Sequence, residues 1–205
     1  LVTNISAEKE AKELCPTHLI KQWRELRPHR VVLATLVLWT QLLCAWAAAL
    51  IGPPILYIPA FLIICACISA MQLWVHESSH YTLFHNRKLN DIWATLFFAS
   101  PIGVSVKIYR RYHMTHHARL ATTGDMDRFA FNVDIRGTQN LLLLFLRGLL
   151  CIDAFGLIKD KYFGANRSVE GESRDWSMLA TVGWNIFLLG LCVLAGRWYL
   201  YFALW

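Results

Sequence analysis

Val31–Ile51 and Ile55–Val75 are each 21 residues long and contain no charged side chain. Only Gly52-Pro53-Pro54 separates them. About 20 apolar residues are enough to cross a bilayer as a helix, so the pair reads as a transmembrane hairpin with a tight turn. A third run, Met178–Ala195, would reach about 27 Å as a helix at 1.5 Å per residue. Gly196-Arg197 then reads as a turn on the far side, and YLYFALW as the start of a fourth span. Two buried helices of a water-soluble domain are the alternative. The 56% hydrophobic content and mean hydropathy of +0.39 are high for that class. A signal peptide does not fit, because thirty largely polar residues precede the first run. The expected fold is all-α: an integral-membrane helical bundle built from a transmembrane hairpin plus further spans, about 31–51, 55–75 and 178–195.

The net charge of +6 follows this topology. Six Lys/Arg precede the first run, thirteen lie between Val75 and Asp175, and none lies in the hairpin turn. The positive-inside bias puts the N-terminal and middle segments in the cytoplasm. No nucleic-acid motif is present, and no such partner is expected. Residues 1–30 read as a cytoplasmic N-terminal segment with an interfacial helix, on which Leu19, Ile20, Trp23 and Leu26 share a face. Residues 31–205 read as one membrane domain. Within it, Asp91–Val106 is short and interrupted by Pro101 and Gly103, which predicts a re-entrant or surface-lying segment. Leu141–Ile158 carries Arg147 and Asp153, which are expensive at membrane depth, and reads as an in-plane helix. There is no CxxC among the six cysteines, and no disulfide or thiolate metal site is expected.

Five of the eight histidines fall in two arrays, 76-HESSH-80 and 113-HMTHH-117. His76 and His80 are i, i+4; His113, His116 and His117 are i, i+3, i+4, so each array shares a helix face. Neutral imidazole is the commonest protein ligand for transition metals. If Asp91–Val106 crossed the membrane, the arrays would lie on opposite sides and could not share a metal. HESSH alone matches the zinc-peptidase pattern, with Glu77 as general base. Five histidines exceed what one zinc takes, and two metal ions fit the number better. Glu77 is then a helix residue about 100° from the histidine face.

The stretches 76-HESSHYTLFHNRKLNDIW-93 and 109-YRRYHMTHHARLATTGDMD-127 resemble the integral-membrane fatty acid desaturase and hydroxylase superfamily, the histidine-box proteins. The resemblance is good over about Val31 to Asp127 and topological beyond. It implies a transmembrane bundle with cytoplasmic histidine-bearing helices and two non-haem Fe ions, with O2 as co-substrate. The matching ligand positions are His76, His80, His113, His116 and His117. Asp125, Asp127 and His85 are candidates for supporting the ligands from behind. A third HxxHH box belongs to the family pattern, and no histidine follows His117. The expectation is therefore a C-terminally truncated piece of a longer oxidase, inactive by itself.

The resemblance further implies a membrane-bound oxidase that introduces a double bond into a fatty acyl or related lipid chain, or a hydroxylase of the same superfamily. Its partners would be that lipid substrate, the surrounding membrane lipids, and an electron donor, either cytochrome b5-like or a ferredoxin with its reductase. The membrane would be a bacterial inner membrane or the endoplasmic reticulum. A HExxH zinc metalloprotease and a non-enzymatic metal- or haem-binding membrane protein remain as alternatives. Lys107, Arg110 and Arg111 read as headgroup anchors or as cations facing an acidic donor.

Overall fold

The computed structural model describes residues 25–120, 122–123, 125, 137–149 and 176–205. The interfacial helix expected before residue 25 lies outside these, as does Asp127. The elements are α1 (Pro28–Ile51), a 3-10 turn (Pro54–Leu56), α2 (Tyr57–Ser79), α3 (Arg87–Ala94), a π turn (Thr95–Ala99), α4 (Val106–Arg119), α5 (Thr138–Leu149), α6 (Ser177–Leu194) and α7 (Tyr199–Leu204). No strand occurs among the described residues. Helices Pro28–Ile51, Pro54–Ser79 and Ser177–Leu194 are long and apolar enough to cross a membrane. The protein is an all-α membrane bundle.

The hairpin packs along matching helical stripes. Leu38, Leu42, Ala45 and Ala49 of α1 are buried, as are Ala60, Ile64, Cys67, Met71 and Val75 of α2. Small side chains near the turn let the two backbones approach. The outward faces carry Leu33, Leu36, Leu43, Ile58, Leu62 and Leu73, all exposed, which is the surface that hydrocarbon requires. α1 starts at Pro28, in the first helical position, where its missing N–H is no loss. It ends at Gly52, and a Cβ there would sit 2.4 Å from the Ala48 carbonyl oxygen and 2.7 Å from Leu56 Cδ1. The turn therefore has no room for a side chain.

The segment expected to be re-entrant does not cross. Asp91 and Arg110, which stand at its two ends, are ion-paired. Ala94, Thr95, Phe98, Ala99 and Ser100 are buried, and the chain turns back at Pro101 and at Gly103, whose φ is +71°. A turn wedged among apolar helices must satisfy its carbonyls without water. Two spans supply the donors. Trp39 Nε1 of α1 donates to the Phe97 carbonyl at 3.2 Å, and Trp184 Nε1 of α6 donates to the Leu96 carbonyl at 3.1 Å. The two indoles stack with centroids 4.9 Å apart. Trp93 adds a bond to Thr35 Oγ1 at 3.1 Å, tying the segment to the start of α1.

The in-plane helix expected over Leu141–Ile158 is described only as α5, through Leu149. It exposes Leu141, Leu142, Leu143 and Leu146.

At the far end, Arg197 reaches back to the hairpin turn. Its Nη1 donates to the Ala49 and Gly52 carbonyls at 2.8 and 2.9 Å and lies 3.3 Å from Tyr57 Oη. The last carbonyls of a helix have no intrahelical donor, and here an arginine from another hairpin satisfies them. Gly196, with φ +67°, makes the reversal that aims it. Tyr199 remains surface-exposed, whereas Tyr201 is half-buried and donates to Asn185 Oδ1 at 2.7 Å. Replacing Arg197 with Met is expected to lower unfolding stability by about 2–3 kcal/mol, the scale of a lost charged hydrogen bond. Equilibrium denaturation in mixed micelles checks this, with Trp198→Phe as a control that leaves stability unchanged.

Candidate metal centre

α2 delivers His76 in its last turn and His80 at its C-cap. α4 is started by Ser105, whose Oγ accepts from the Ile108 N–H at 3.4 Å. It carries His113, His116 and His117. Because the re-entrant segment returns the chain to the end where it left, α4 lies against the end of α2.

Four imidazoles converge there. The nearest ligand nitrogens of His76, His80, His113 and His117 all lie within 4.8 Å of one another. His113 Nε2 sits 2.8 Å from His80 Nε2 and 2.9 Å from His117 Nε2. Only one proton can occupy each such gap, so nitrogen lone pairs crowd a common space. A metal bonded to imidazole at about 2.0–2.1 Å holds its nitrogens roughly 3–4 Å apart, and the observed separations bracket that range. Burial is the largest cause pushing the His113 pKa down to about 4, followed by the imidazoles of His76, His117, His80 and His116. His80 is lowered too, by burial and then by His76 and His117. Neutral imidazole is the form that binds a metal, so the residues present fit one. His113 is buried, while His80 and His117 remain exposed, so the cluster is open on one side.

The fifth histidine stands apart. His116 and His117 are 100° apart on the helix and fall on either side of His113, so they do not face the same point. The His116 ring stacks near His113 at 6.2 Å between centroids. Its Nδ1 bonds Asp125 Oδ1 at 2.8 Å, and that carboxylate is 2% exposed. Asp125 accepts the Nδ1 proton, which leaves Nε2 as the lone-pair nitrogen, as carboxylates do behind metal-binding histidines.

His85 lies exposed on the loop after α2, outside the four clustered histidines. Two sequence readings need correcting. Glu77 is not incidental. Its Oε1 lies 3.2 Å from His76 Nδ1, and its Oε2 accepts from Thr82 Oγ1 at 3.1 Å. The helix angle between Glu77 and His76 hides this, because neighbouring long side chains can still meet at a helix end. Arg110 does not reach out to headgroups; it turns inward to Asp91 and to the end of α2. Asn90 is a structural residue that sequence reasoning missed. It is fully buried and joins the Leu83 N–H, the Ser78 carbonyl and Asp91. Its one signal is an uncharged polar residue on the inner side of the strongly amphipathic run RKLNDIW.

Comparison with known proteins agrees with this arrangement. Residues 52–205 match the fatty acid desaturase family. A sphingolipid delta(4)-desaturase of Gallus gallus is 41% identical over 66 residues, 30% of this chain and 20% of that protein. A protein of Caenorhabditis elegans, named for sphingolipid delta(4)-desaturase and C4-monooxygenase activity, is 38% identical over 60 residues, 27% of this chain and 16% of that protein. The matched region thus spans about a fifth or less of the length of these relatives. No solved structure gives a significant match. A match over most of the chain, carrying the histidine arrays that fold against each other, leads to one assignment: the chain belongs to the fatty acid desaturase family.

Proposed function

We propose that this chain is the histidine-bearing part of a membrane-bound, O2-dependent oxidase that introduces a double bond into a lipid chain. The observation that carries the reading is the convergence of His76, His80, His113 and His117 at one end of the membrane hairpin. Two bound non-haem irons would supply the chemistry, in which O2, two electrons and two protons remove two hydrogens from adjacent carbons and leave two waters.

The rest belongs to the chain's own side chains. The four clustered imidazoles hold metal, and His116, steadied by Asp125, offers a nitrogen for a second ion. Glu77 on His76 and Asp125 on His116 each fix which ring nitrogen keeps its proton, so the other faces the metal. The apolar surface of α2 ends at His76 and His80, so a hydrocarbon chain in the bilayer lies within reach of the centre. The open side next to His80 and His117 is where an electron carrier, cytochrome b5-like or a ferredoxin, would approach from the cytoplasm. The names of the chicken and worm relatives favour a sphingolipid-type chain as substrate. The worm protein's name also pairs desaturation with monooxygenation, so hydroxylation at the same centre is the second reading. A zinc peptidase needs Glu77 as a free base, and Glu77 is engaged by His76 and Thr82.

Metal analysis of the purified protein is the first test. In protein that includes a third histidine box about two irons per chain are expected, and a single tightly held zinc would refute the oxidase. His113→Ala should remove most of the bound iron, whereas His85→Ala should leave it in place. Glu77→Gln separates the chemistries: its amide oxygen can still accept from His76, so lipid oxidation should fall less than tenfold, while a peptidase would lose its base entirely. Acid should also weaken the metal-free fold. His113 is neutral in the folded state down to about pH 4, while the unfolded side chain gains a proton near its usual value of about 6.5. The unfolded state therefore binds more protons in this window, and stability falls as pH drops from about 6.5 to 4. Thermal unfolding of apo-protein across that range should show a shallower slope for His113→Asn.

A further inference from the structure

Arg110 stands three residues before His113 on α4, and no step above uses it. Its guanidinium meets the end of the other histidine helix. Nε donates to the Ser79 carbonyl at 3.0 Å and Nη2 to the Ser78 carbonyl at 2.9 Å. These carbonyls belong to the last turn of α2, where a cation favours the helix dipole; that of Ser78 also accepts from the Tyr81 N–H at 3.0 Å. Asp91 closes the fork on its other side, accepting from Nη1 at 3.1 Å and from Nη2. Asn90 braces both acceptors, donating to the Ser78 carbonyl at 3.0 Å and to Asp91 Oδ1 at 3.1 Å.

The backbone next to His80 is arranged around the same guanidinium. Tyr81 has φ +59°, the one positive value at a non-glycine among the described residues. A bulky residue rarely takes that conformation. The reversal it makes lays the Tyr81 ring over Arg110, with Cζ 3.9 Å from the ring centroid. One planar cation thus contacts the carbonyl just before His80 and the ring just after it, from a helix position one turn before His113. The His80 and His113 imidazoles themselves touch through a single N–H···N contact of 2.8 Å, which leaves their orientation to the groups behind them.

We propose that Arg110 is the positioning residue of the metal centre: clasped by Ser78, Ser79, Asp91 and Tyr81, it fixes the separation of His80 from His113 and so the geometry offered to the metal. The role needs a planar fork that bonds in its plane and stacks on its face, which arginine has and lysine lacks. The inference rests on the reading of the histidine cluster as a metal site.

The test is titration of the metal-free full chain in micelles with Co2+, followed by ligand-field absorption, with circular dichroism to confirm folding. Arg110→Lys keeps the charge and should stay helical, yet bind Co2+ about 10–100-fold more weakly, with a changed ligand-field spectrum. Tyr81→Phe keeps the stacked ring and should match wild type. Asp91→Asn keeps the contacts to the two carbonyls and should weaken binding roughly tenfold. Wild-type affinity and spectrum in folded Arg110→Lys would overturn the proposal. Should that variant fail to fold, wild-type behaviour of Asp91→Asn overturns it instead. Wild-type protein that takes up no Co2+ would refute the metal-site reading itself, and the proposal with it.

Discussion

A carbonyl oxygen without a donor is costly wherever water is excluded, and the structure is organised around removing that cost. Each helix of the hairpin ends by leaving carbonyls unpaired. At the far turn Arg197 takes those of Ala49 and Gly52. At the near end Arg110 takes that of Ser79 and adds a further bond to that of Ser78. Between them the re-entrant turn hands the Leu96 and Phe97 carbonyls to two tryptophans on different spans. None of these donors comes from the element that it satisfies. Each such bond is therefore also a tertiary tie, and together they fix how the spans, the re-entrant segment and α4 meet.

The histidine cluster depends on those ties. Its two halves, at His80 and His113, stand thirty-three positions apart in sequence, and the ion pair of Asp91 with Arg110 closes the intervening chain on itself. What makes the centre suited to metal is also what makes it uncomfortable without one. His113 is buried among imidazoles and held neutral, with nitrogen facing nitrogen at under 3 Å on two sides.

Much of this was legible in the sequence, because hydrocarbon imposes long uncharged runs and metals impose regular histidine spacing. The hairpin, its Gly52 turn, the third span and the non-crossing of Asp91–Val106 all follow from those two demands. Four of the five box histidines meet as their spacing implies. His116 lies on the other side of His113 from His117, with its Nδ1 on Asp125. Arg110 was misjudged because a charged residue reads as solvated until its partner element is placed beside it, and Glu77 because helix angles alone take no account of side-chain reach to His76 and Thr82. The roles of Asn90 and Arg197 were not legible because most of their partners are backbone groups, which carry no signature in a sequence.

The one-sided openness of the centre bears on how the site comes into being. The hairpin's two apolar runs are adjacent in sequence, but His113 and His117 can reach His76 and His80 only when the re-entrant turn is folded back, its carbonyls held by the stacked Trp39 and Trp184. Until then the chain offers two separate histidine pairs, each a poor chelator. A four-histidine site therefore exists only in the folded bundle, with His80 and His117 as its exposed rims.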